Sequence, residues 1–195
     1  MEIEIYFNIY KAIQLITLQV PFGNTSTVKN VMGLRGALIN PPTASITGLK
    51  HSTEEESGTR LWNYIRRQTN DKLDIFFKQC FVYNFCPLLF EHAKTKKQIP
   101  LANLTEEYRE KVLQKCLKET ENMVRLVKPT VIVAVGKCVY EQILQSVYIK
   151  QCDNIKVYKI IHPSPQTKMT ESEWSRAVHK KLKDEDLLKY LANRG

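Results

Sequence analysis

The chain has 195 residues, 43% of them hydrophobic, and 29 Lys and Arg against 20 Asp and Glu, a formal charge of +9. That fits one globular domain with a real core. A basic balance points to a polyanionic partner, nucleic acid above all, or to a merely solvated lysine-rich surface. Five cysteines (80, 86, 116, 138 and 152) form no CxxC pair and four sit in apolar runs, which disfavours a metal centre or a disulfide framework and favours buried free thiols. His51, His92, His162 and His179 show no metal-ligand spacing.

The N-terminal run 1–20 is apolar but broken by Glu2, Glu4, Asn8, Lys11 and Gln14. It has no basic leader and no small-residue cleavage site, and no stretch reaches membrane-spanning length, so a soluble intracellular protein is expected. Turn formers follow in PFGNTST, and residues 33–53 read as a long irregular loop. The spacing of Leu61, Tyr64 and Ile65 predicts an amphipathic helix over 57–69. FFKQCFVYN, residues 76–84, is strand-like, and KTKKQIP is a basic loop closed by proline. A long helix is predicted over 104–127 from Leu104, Tyr108, Val112, Cys116, Leu117, Met123, Val124 and Val127, with Asn103 or Thr105 as its cap. TVIVAVG, 130–136, reads as a buried parallel strand. Gly136 opens a helix to about Val147, and NIKVYKII, 154–161, is a further strand. Thr170 and Glu173 form a capping box for a helix through Ala177, and a charged helix covers 183–192.

Helix and strand alternate, which predicts an α/β fold: a three-layer α/β/α arrangement around a central parallel sheet. Ligands of such sheets bind at the carboxyl ends of the strands. Two predicted strands end there in a polar residue followed by a proline-rich turn, Asn84 before FCP and His162 before PSP. An asparagine amide can pair with a planar amide-like edge such as that of a pyrimidine, or it can cap its own turn. A histidine fixed by prolines can donate to an oxygen that gains charge in a transition state, or it can be structural. Phe22, on the PFG turn, can stack on a base or sit in the core.

In order, VPFG, VYNFCPLLF and IHPSP, together with LINPP, SGTRLWNY and VAVG, closely resemble the uracil-DNA glycosylase superfamily, and within it the single-strand-selective monofunctional branch. The resemblance runs from about Val20 to the C-terminus. It implies excision of uracil, and of oxidised uracils such as 5-hydroxymethyluracil, from single- or double-stranded DNA in base excision repair, with the nucleotide flipped out of the stack. It implies Phe22 stacking on the base, and Asn84 accepting from uracil N3–H and donating to O4. His162, the catalytic residue, would donate as a neutral imidazole to O2 of the departing uracil anion. No cofactor, metal or membrane is implied, and the expected protein is a nuclear monomer. The DNA contacts implied are Gln166, Thr167, Lys168 and Met169 in a loop that enters the duplex, Thr170, Glu171, Ser172 and Glu173 at a helix start that offers N–H groups to a phosphate, and Lys94, Lys96, Lys97 and Arg109.

One motif departs. The family carries Gly-Met-Asn-Pro-Gly ahead of the PFG turn, and its asparagine positions the attacking water. Here the stretch is FNIYKAIQLITLQVPFG, and Asn8 falls about one position out of register without flanking glycine or proline. Residues 1–19 therefore read as a divergent or unrelated segment, from a truncated gene model or a degenerate protein, ahead of a glycosylase-like domain at 20–195. IEIYF or AIQLITLQV would have to replace a strand of the sheet. An active glycosylase, a catalytically impaired uracil- or DNA-binding relative, and a basic scaffold without either property are the three readings left.

Overall fold

The computed structural model describes residues 56–88, 90 and 99–191, and the backbone of 4–8. Four parallel strands form one sheet in the order β2-β1-β3-β4: β1 Glu4–Asn8, β2 Cys80–Asn84, β3 Val131–Val135 and β4 Lys156–Ile160. Of the two N-terminal segments able to supply a strand, the first does so. Glu4–Asn8 lies between β2 and β3, in register from Glu4 opposite Cys80 to Asn8 opposite Asn84. From β1 the chain passes outward to β2, and from β3 it passes the other way to β4. The order reverses between β1 and β3, where sheets of this kind open a ligand crevice.

The helices cover both faces. Strand β3 is buried throughout, and its side chains alternate between two cores. Val131, Val133 and Val135 pack with Trp62 and Tyr64 of α1 (Glu56–Gln68), Phe76 of α2 (Leu73–Gln79), and Trp174, Val178 and Leu182 of α6 (Glu171–Asp184). Ile132 and Ala134 face Leu113, Cys116 and Val124 of α3 (Glu106–Val127), Val139 and Ile143 of α4 (Lys137–Ile143), and Ile149 of α5 (Val147–Lys150). Among the described residues no helix is long and apolar enough to cross a membrane.

Several expected boundaries move, each for a local reason. Residues 76–79 belong to α2 and only 80–84 form the strand. Leu73, Phe76 and Cys80 are buried at helical spacing, whereas Phe77 is exposed, so the period of two begins only at the cysteine. Tyr108, expected on the inner face of α3, is exposed. Thr105 takes the N-cap position of α3 without a side-chain bond, while Asn103 ends a 3-10 turn. The helix after Gly136 stops at Ile143, because Ser146 restarts the chain: its hydroxyl donates to Glu121 and accepts from the Ile149 N–H. The capping box of Thr170 and Glu173 forms as expected. The helix it starts continues past Ala177, since Val178 and Leu182 extend the stripe begun by Trp174. It ends in a Schellman turn, with Leu187 N–H on the Leu182 carbonyl and Asp186 left-handed at φ 55°. The separate helix expected over 183–192 is thereby replaced by the end of α6 and a 3-10 turn at Leu188–Tyr190.

Candidate active site

The register brings the predicted residues to one edge. Asn84 and Asn8 are paired at the carboxyl ends of β2 and β1, and Val135 is paired with Ile160 at the ends of β3 and β4. Gly136 and His162 follow within two residues of that line.

Asn84 is 4% exposed, and its amide oxygen is buried without a hydrogen-bond partner. An asparagine capping its own turn would accept through that oxygen, so the capping alternative fails for it. Leaving such an acceptor unpaired costs about 1–3 kcal/mol. A strand end that tolerates this is one prepared to receive a donor from outside.

His162 is held in a defined state. The Ser164 N–H donates to Nδ1 at 3.0 Å, so the neutral ring carries its proton on Nε2. Burial pushes the imidazole pKa down to about 4, so the ring is neutral near pH 7. Its backbone is fixed on both sides. Trp174, fully buried, donates from Nε1 to the Ile161 carbonyl at 3.0 Å, and Pro163 is buried.

Gly136 forms the surface against which the ring rests. It sits at φ 101°, donates to the Ile160 carbonyl at 2.9 Å, and leaves room for only 3.3 Å between an added Cβ and the His162 Cβ. Both its backbone conformation and the space above it require glycine. Gly136→Ala is expected to lower unfolding free energy by about 1–3 kcal/mol. Chemical denaturation checks this, and the His162 ring resonances should shift as the ring is displaced.

The loop after His162 is less uniform than expected. Gln166 and Lys168 are exposed, and Lys168 is left-handed at φ 56°. Thr167 is turned back, donating to the Ser164 carbonyl at 2.8 Å, and Met169 packs against the core. At the start of α6, the capping box occupies the N–H groups of Thr170 and Glu173. Glu171 bonds Arg67, and Ser172 accepts from Arg176. Two carboxylates therefore already balance the positive end of this helix, which argues against a phosphate there. Arg109, half-buried in the first turn of α3, donates to the Ala102 carbonyl at 3.4 Å. Phe22, Lys94, Lys96 and Lys97 lie outside the described residues. A cavity of ≈ 640 Å³ between α1 and α6 is lined by Tyr64, Arg67, Arg176, His179 and Lys180 among others, and includes neither Asn84 nor His162.

Asn84 and the His162 loop thus stand at one sheet edge, as the sequence predicts, and the match to known proteins extends across this framework. The family model of the uracil DNA glycosylase superfamily matches residues 19–187. The chain belongs to that superfamily. The single-strand selective monofunctional uracil-DNA glycosylase of Rattus norvegicus is 30% identical over 180 residues, which are 90% of this chain and 64% of that protein. The Bos taurus counterpart is 31% identical over 178 residues, 89% of this chain and 64% of the relative. The chain spans a little under two thirds of the length of these curated relatives. The crystal structure of wild-type Pedobacter heparinus SMUG2 has the same fold, with a TM-score of 0.67 at 15% identity, over 96% of this chain and 76% of that one.

Three site residues were missed by sequence reasoning. Gly136 was read only as a helix start, although a glycine ending a β-branched strand is the signal of close backbone approach. Ser164, two residues after His162, sets the ring tautomer. Trp174 ties α6 to the end of β4. The superfamily motif absent from the N-terminus has no substitute readable from side chains. The backbone of β1 nevertheless sets an asparagine, Asn8, directly opposite Asn84.

Proposed function

We propose that this chain is a monofunctional uracil-DNA glycosylase of base excision repair, acting as a monomer in the nucleus. It takes a flipped uracil, and 5-hydroxymethyluracil, from single- or double-stranded DNA. The observation that carries the reading is the unpartnered amide oxygen of Asn84 at the carboxyl edge of the sheet. Uracil N3–H is the donor that oxygen lacks, and the Asn84 amide can in turn donate to O4. Cytosine presents an unprotonated N3 and an amino donor at those positions, so the same amide rejects it.

His162 then acts on the opposite side of the base. Its Nε2–H donates to O2 as the N-glycosidic bond breaks, and this donor stabilises the charge that accumulates on the leaving uracil. The bond between Ser164 and Nδ1 keeps the donor on Nε2, and burial keeps the ring from ionising. Water supplies hydroxyl to the sugar C1′ and a proton to uracil, leaving an abasic site. Phe22 is the proposed stacking partner of the base. Gln166 and Lys168 are the proposed loop contacts to DNA, and Lys94, Lys96, Lys97 and Arg109 the proposed phosphate contacts.

A second reading rests on the missing Gly-Met-Asn-Pro-Gly sequence: a relative that binds uracil in DNA and does not hydrolyse it. The test is a single-stranded oligonucleotide with one uracil, incubated with the purified chain and then treated with alkali. Strand breaks at uracil, and none at cytosine in the same position, are expected. Selective retention of the uracil strand without breaks would establish the second reading. Neither breaks nor retention would overturn both.

A further inference from the structure

The turn that carries Asn84 holds a second chemical feature that uracil recognition does not use. Cys86 lies two residues beyond Asn84, and Cys116 lies on α3, thirty positions further along the chain. Both are free thiols and each is only 4% exposed. They belong to the same apolar cluster, and the Cys116 thiol donates a hydrogen bond to the Cys86 sulfur, which also accepts from the Leu88 N–H. Two sulfurs already in contact, from elements distant in sequence, need only a small approach to bond. The surface is close, since Pro87 and Leu88, next in the chain, are exposed.

We propose that Cys86 and Cys116 form a reversible redox pair, joined in a disulfide when a hydroperoxide oxidises Cys86. The two bonds received by the Cys86 sulfur favour its thiolate and bring its pKa down to about 7, the main cause being the Cys116 thiol. Cys116, the donor of the pair, is pushed up by the same bond. Tyr83 and Glu119 are the other titratable groups that face the pair. These shifts divide the roles: Cys86 is the nucleophile and Cys116 the resolving thiol.

The Cys86 thiolate attacks one oxygen of the peroxide. The O–O bond breaks, sulfenic acid forms, and the leaving hydroxide or alkoxide takes up a proton. The Cys116 sulfur then attacks the sulfenic sulfur, the S–S bond forms, and water leaves with the Cys116 proton. Two thiols lose two electrons and one peroxide gains them. The product ties the Asn84 turn covalently to α3. A thiol pair of this kind stays open in a reducing compartment, in keeping with the absence of a cysteine framework in the sequence.

The test is mass spectrometry of the full chain after exposure to hydrogen peroxide and alkylation of remaining thiols under denaturing conditions. The expected product is a cross-linked peptide pair joining Cys86 to Cys116, lost on treatment with dithiothreitol. In Cys116→Ser, Cys86 should instead be captured by dimedone as sulfenic acid. Oxidation confined to the exposed Cys138 and half-buried Cys152, with Cys86 and Cys116 fully alkylated, would overturn the proposal. These readouts need no DNA, so they stand or fall apart from the glycosylase reading.

Discussion

Asn84→Ala is expected to lower uracil excision by at least about 10²-fold while leaving folding stability within about 1 kcal/mol of the parent chain. The two expectations come from one geometry. The amide oxygen has no partner in the free protein, so its removal relieves a buried, unsatisfied acceptor, and that relief offsets the packing lost with the side chain. In the complex the same oxygen would take the N3–H of the base, and its loss leaves that donor unpaired in a dry pocket. A structural asparagine behaves the other way, with stability falling and any change in activity following from it. Excision rate and denaturation midpoint, measured on the same preparation, separate the two. Asn84→Asp is expected to be as damaging to uracil excision, since a carboxylate can accept from N3–H but has no donor for O4.

His162→Leu is expected to slow the chemical step by about 10²–10³-fold with little change in affinity for uracil-containing DNA. The donor matters as charge develops on O2, and much less for the neutral base in the ground state. Single-turnover rates set against equilibrium binding make the distinction, and an equal loss in both would remove His162 from transition-state stabilisation. The depressed pKa has its own consequence. Because the folded chain holds the ring neutral down to about pH 4, the excision rate should show no acid limb at the ordinary histidine value near 6.5. Between pH 6.5 and about 4 the unfolded chain binds the proton and the folded chain does not. Stability is therefore fully present above pH 6.5 and falls as the pH drops through that window, by roughly 3 kcal/mol from this group. Denaturation curves at pH 7 and pH 4.5, compared between the parent chain and His162→Leu, isolate the contribution.

The parts of this account that sequence made legible are those written in local chemistry. The β-branched run 131–135 and the helical spacing of Leu61, Tyr64 and Ile65 declare their elements because burial imposes a period on them. Asn84 and His162 could be singled out because each breaks an apolar strand and precedes a proline turn. What was hidden depends on the assembled sheet. IEIYF and AIQLITLQV were equally apolar, and only pairing with both β2 and β3 distinguishes the strand that fills the gap. Residues 76–79 looked like strand because two aromatics adjoin a real one; the burial of Phe76 with exposure of Phe77 is a property of the packed helix. The Gly136–His162 contact joins positions 26 apart in sequence, and the tautomer depends on a backbone N–H whose direction is fixed by the turn. No residue pattern encodes either directly.

The central claim is that Asn84 reads the edge of a uracil, and it can be tested apart from hydrolysis. The measurement is equilibrium binding at fixed salt of two single-stranded oligonucleotides, identical except for 2′-fluoro-2′-deoxyuridine or 2′-fluoro-2′-deoxycytidine at one position. The fluorine resists bond cleavage and leaves the base edge intact. The parent chain should prefer the uracil strand by about 10-fold or more, the scale of one paired base edge, and Asn84→Ala should bind both strands alike. Equal binding of the two strands by the parent chain, or a uracil preference that survives in Asn84→Ala, would contradict the assignment.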